Sequence, residues 1–67
     1  MPKIRRGGFV FMAWKGDHSP NHVHVFDGRR LLMKWDLENN CLMWGILNLK
    51  ALALIRRLQK EGLLWRA

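Results

Sequence analysis

The chain is short of several things, and each shortage narrows what it can do. It has a single cysteine, Cys41, among 67 residues. No disulfide can therefore form within it, which fits a reducing compartment. Cys41 lies in an apolar run and is expected as an inert, buried or half-buried thiol. No apolar stretch approaches the roughly 20 residues that a membrane-spanning helix needs. The basic start, residues 1–6, is not followed by the apolar segment of a secretory signal. These absences lead to the expectation of a cytoplasmic protein with no membrane partner. No glycine-rich phosphate loop is present either, since Gly7-Gly8 after Arg5-Arg6 is an isolated pair. Nothing offers a Ser/His/Asp or Cys/His nucleophile arrangement with supporting residues.

Acidic side chains are also scarce. Twelve Lys and Arg stand against five Asp and Glu, for a net charge of +7. Such an excess favours an anionic partner, either nucleic acid or an acidic protein. Apolar residues, by contrast, are abundant at 49%, with four Trp and four Met. Sixty-seven residues make one domain, and a domain of this size buries only about 60% of its unfolded surface. Part of that apolar material is expected to remain exposed, as for a partner-binding or homodimeric protein.

The chain divides into short elements. Residues 8–14 are apolar on both alternating faces and read as a buried strand, with Phe9, Phe11 and Ala13 opposite Val10, Met12 and Trp14. Residues 15–21 carry turn chemistry. Residues 22–26 alternate and read as a strand, Asp27-Gly28 breaks it, and residues 31–36 form the next. A three-residue loop, 27–29, gives one clean apolar face by pairing Val25 with Leu31 and Val23 with Met33. In that register His22 lies across from Lys34. After a turn at 38–40, residues 41–47 read as a further strand ending near Gly45. Asn48 suits a helix N-cap, and residues 49–61 carry Ala51, Leu54, Ile55 and Leu58 at helical spacing. Gly62 fits the position after the helix, with Leu63 folding back. The expected fold class is α+β: a small antiparallel sheet of three to four strands with one C-terminal helix packed on it.

All three histidines fall within Asp17-His18-Ser19-Pro20-Asn21-His22-Val23-His24-Val25. On a strand, His22 and His24 project from one face, about 6–7 Å apart. Three readings of this cluster are open. In the first, His22 and His24 are the catalytic acid and base of an RNA-cleaving site, with Lys34 or Arg30 countering charge on the phosphate. Nucleic acid would then be held by Arg5, Arg6, Arg29, Arg30 and Lys34. In the second, His18, His22 and His24 bind a divalent metal such as zinc, with Asp17 or Asp36 as a fourth ligand. In the third the histidines are hydrogen-bonded structural positions of a non-catalytic interaction module. That module would dock an acidic partner through an apolar patch drawn from Trp14, Trp35, Trp44 and Trp65. Arg56, Arg57 and Lys60 are accounted for in part by the negative end of the helix dipole.

These residues resemble a known family. Met1-Pro2-Lys3-Ile4 and the motif at 17–25 are similar to the opening and the Asp-His-x-Pro-Pro-His-[Phe/Val]-His-[Val/Ala] signature of a bacterial domain-of-unknown-function family, number 4160. Trp44-Gly45-Ile46-Leu47 and the basic helix at 49–62 resemble its later segments, so the likeness spans nearly the whole chain. Asn21 stands where the family pattern has a second proline, which is expected to loosen the loop holding His18. The C-terminal segment is also shorter than is common in the family. The resemblance implies a toxin–antitoxin-like gene context and an unsettled activity. It places the functional weight on His18, His22 and His24.

Overall fold

The computed structural model describes residues 3–14 and 21–65, with Trp14 described by its backbone alone. Five strands precede one helix: β1 (Lys3–Arg6), β2 (Phe9–Trp14), β3 (His22–Asp27), β4 (Arg30–Asp36), β5 (Cys41–Gly45) and α1 (Leu49–Lys60). The strands form one antiparallel sheet in the order β1-β2-β3-β4-β5, each paired with its neighbour in sequence. The α+β class is as the sequence indicates. The fifth strand comes from Lys3-Ile4-Arg5-Arg6, a segment too short and too charged to read as a strand alone. It forms by pairing, with Ile4 opposite Phe11 and Arg6 opposite Phe9.

Alternation decides which face the helix covers. Phe11, Val23, Val25, Met33 and Trp35 are buried on one side of the sheet, where they meet Ala51, Ile55 and Leu58 of the helix. Leu54 is partly buried against the same cluster. Trp35 is thus a core residue and no part of an exposed tryptophan patch. Leu64, not Leu63, folds back into the core, while Leu63 stays exposed.

The β3–β4 hairpin departs from the expected register. Asp27 pairs with Arg30 across a two-residue turn, and Phe26 pairs with Leu31. A bulge then leaves Leu32 as the extra residue, so Val25 meets Met33 and Val23 meets Trp35. A two-residue turn and a bulge beyond it together keep the apolar face clean. A pattern of alternation carries no mark of a bulge, so His22 comes to lie opposite Asp36, and Lys34 opposite His24.

Both helix ends are closed locally. The Asn48 side chain accepts a hydrogen bond from the Ala51 N–H at 3.0 Å. At the other end the Gly62 N–H bonds to the Gln59 carbonyl and the Leu63 N–H to the Leu58 carbonyl. This is a Schellman closure, and it requires the positive φ of +80° that Gly62 adopts. Arg6 Nη1 donates to Glu61 Oε2 at 2.6 Å, tying the first strand to the end of the helix. Among the described residues, no helix is long and apolar enough to cross a membrane.

The N-cap carries a measurable share of the helix. Replacing Asn48 with Ala should lower the unfolding free energy by about 1 kcal/mol in urea denaturation with an unchanged slope. Asn48→Asp should retain most of the stability.

Candidate functional site

The face of the sheet away from the helix carries the chemistry. Met12 pairs with His24, and His24 with Lys34, so these three form a row across the sheet. Lys34 in turn pairs with Trp44, and its Nζ lies 5.9 Å from the centre of the Trp44 ring. His22, His24 and Phe26 run along β3 on this face. The His22 and His24 ring centroids are 5.2 Å apart, and those of His24 and Phe26 are 6.4 Å apart. Lys3 and Arg5 share the face from β1, through their pairing with Met12 and Val10. Both histidines are half-buried.

The two imidazoles are not equivalent. Burial first, then the charges of His22 and Lys34, push the His24 pKa below its ordinary value of 6.5. His22 lies by register against Asp36, whose carboxylate is held below the ordinary range. The chief cause is the Asn39 side-chain amide, which donates to Asp36 Oδ2 at 2.8 Å. Asp36 Oδ1 accepts from the Glu38 and Asn39 N–H groups at 2.8 and 2.9 Å. Both carboxylate oxygens are therefore engaged in shaping the β4–β5 turn. That employment, rather than metal ligation, accounts for a nearly buried acid at this position.

The same turn fixes the start of β3. The Leu37 N–H donates to the Asn21 carbonyl at 2.9 Å, and the Asn21 N–H donates to the Glu38 carboxylate. A proline at 21 would have no N–H to give. Asn21 therefore anchors the start of β3 through a bond that proline could not make, while the loop holding His18 lies outside the described residues. This bracket was not foreseen, although Asp36-Leu37-Glu38-Asn39 carries a usable signal: Asp side chains commonly bond N–H groups two or three residues on.

The expected cationic set divides. Lys34 and Arg5 lie on the histidine face. Arg6 points to the helix side, where its bond to Glu61 holds that carboxyl below the ordinary range. Arg29 and Arg30 sit at the turn end of the hairpin, roughly 10 Å or more along the strand from His24. Cys41 is exposed, contrary to the expected buried thiol, because β5 is an edge strand with no layer over it. His18, Asp17 and Pro20 lie outside the described residues, as does the Trp14 side chain. Among the described residues, no group of three His, Cys, Asp or Glu is placed to hold a metal ion.

The charge couplings have a definite sign. Protonation of His24 is disfavoured in the fold, so as pH falls through 6.5 the unfolded chain takes its proton first and stability declines. Asp36 adds a second loss at lower pH: its contribution is complete above the unfolded value near 3.8 and disappears as pH falls through the lowered folded value. In an NMR titration the His24 midpoint should lie below 6.5 and move up in both His22→Gln and Lys34→Met. A midpoint unmoved by either change would contradict the coupling.

No family model matches the chain, and neither a curated protein nor a solved structure matches it.

Proposed function

We propose that the chain is a small basic nucleic-acid-binding protein of a toxin–antitoxin-like module, cleaving single-stranded RNA through His22 and His24. One observation carries this reading: two imidazoles 5.2 Å apart on a helix-free sheet face, with Lys34 across from one of them. The net charge of +7 supports a polyanionic ligand. The module context rests on the family resemblance.

The roles follow from the surroundings. His24, whose pKa is lowered by burial first and then by the charges of His22 and Lys34, is the base. It takes the proton from a ribose 2′-hydroxyl, and the oxygen attacks the adjacent phosphorus. His22, beside Asp36, is the acid and gives a proton to the departing 5′-oxygen. The products are a 2′,3′-cyclic phosphate and a free 5′-hydroxyl, with no net change in protons. Lys34 faces the charge that grows on the phosphate oxygens in the transition state. Phe26 offers a ring on which an unpaired base can stack, and Arg5, beyond Val10 in the same cross-strand row, can meet the backbone.

A labelled single-stranded RNA and a DNA of the same sequence distinguish the parts of this reading. Cleavage should be confined to RNA, with a bell-shaped pH profile. His22→Ala and His24→Ala should each lose about 10²-fold or more in rate while still binding. Binding by Arg29→Gln/Arg30→Gln/Lys34→Gln should weaken, with the salt slope reduced by about 2 if each cation meets one phosphate. Uncleaved RNA with intact binding would remove the catalytic half. Unchanged affinity of the triple variant at low salt would remove the hairpin surface.

A further inference from the structure

The two edges of the sheet are built differently. At one edge, β1 carries Lys3, Arg5 and Arg6, and cations are a common protection for an unpaired strand. At the other, all five residues of β5 are exposed. No charged residue occurs from 41 to 49. Met43, Trp44, Ile46, Leu47 and Leu49 all stand in solvent, with Ile46 at 85% and Leu49 at 72% exposed. Their exposed surface sums to several hundred Å², on the order of the ~800 Å² per partner of a standard interface. Isolated exposed apolar residues need no explanation, but a contiguous run of this size on so small a chain does.

We infer that this edge is the interface of a homodimer, in which two copies meet through residues 41–49 about a two-fold axis. Two observations name the occupant. The first is shape. Beside the edge lies an open groove of about 520 Å³, lined by Arg30, Leu31, Leu32, Trp44, Ile46 and Leu47. The segment that walls this groove also carries the most exposed apolar side chain, Ile46. A surface holding both a knob and a groove can be its own complement across a two-fold axis. The second is charge. An acidic partner finds few cations here: the edge segment itself holds none, and Arg30 is the one charged residue among those lining the groove. A second copy, itself at +7, comes close most readily where cations are sparse, and residues 39–49, which include this edge, are the longest uncharged stretch of the described chain.

Antiparallel apposition of two β5 edges requires an axis normal to the sheet. Both helices then lie on one side of the dimer and both histidine faces on the other. The inference is independent of the RNA reading, and salt separates the two. Screening relieves repulsion between two cationic copies, so dimerisation strengthens with salt, whereas binding of RNA weakens.

Sedimentation equilibrium on the full chain, in reductant and across a dilution series, tests the inference. The expected mass is twice that of one chain, falling to one on dilution, with a lower dissociation constant at higher salt. Ile46→Lys should weaken the dimer at least tenfold without changing the far-ultraviolet spectrum, since that side chain is outside the core. Leu49→Lys, exposed at the start of the helix, provides a second variant with the same expectation. A wild-type chain that stays monomeric at millimolar concentration would overturn the proposal and leave the edge to a different protein. So would a dimer that vanishes on reduction, which would be a Cys41 disulfide, or one that survives both lysine substitutions.

Discussion

The register of β3 against β4 is the constraint on which the rest of the molecule depends. Because side chains alternate across a strand, one choice of pairing fixes both faces at once. Val23 and Val25 opposite Trp35 and Met33 make the dry face that the helix covers. The same pairing puts His22 and His24 on the wet face, against Asp36 and Lys34. A slip of β3 by one residue would bury two imidazoles and expose Val23 and Val25. Selection for a core is thus also selection for the histidine pair, and neither can shift without the other.

A polar bracket holds that register at one end. Asp36 gathers the N–H groups of Glu38 and Asn39, and the Glu38 carboxylate reaches back to Asn21. The turn after β4 is therefore bonded to the residue before β3. At the other end the register is relaxed by the bulge at Leu32, close to Gly45, whose φ is +89°. A Cβ at Gly45 would lie 2.2 Å from the Leu32 carbonyl oxygen, so only glycine lets β5 pass so close to the bulged strand. The hairpin is pinned near its histidines and accommodating near its turn.

Much of this was legible in the sequence, and the reasons are physical. Alternation in 22–26 and 32–36 identified the buried and open faces, because burial acts on every second residue, but Leu31, expected on the apolar face, lies opposite Phe26 on the histidine face. The N-cap at Asn48 and the stop at Gly62 were readable because caps rest on local bonds. What escaped depended on partners distant in sequence or on insertions. β1 exists through its pairing with β2. The bulge changed which residue faces each histidine and put Leu31 on the open face, while Met33 and Trp35 kept to the core. Arg6 was assigned with the other cations, yet its partner, Glu61, comes 55 residues later. Cys41 was expected to be sheltered by its apolar neighbours, but those neighbours are themselves on an uncovered edge. Apolar composition indicates what can be buried, while position in the sheet decides whether anything is there to bury it.

The strict meander of the sheet has a kinetic consequence. Every strand pairs with the one just before it, so each pairing closes only a short loop, and ordering the sheet requires no long-range search. The helix, by contrast, must come back across the sheet from the far end of the chain. Without it, Phe11, Val23, Val25, Met33 and Trp35 would form a bare apolar plane. Any opening that lifts the helix therefore bares that plane beside an uncharged edge, and offers both to wrong pairings.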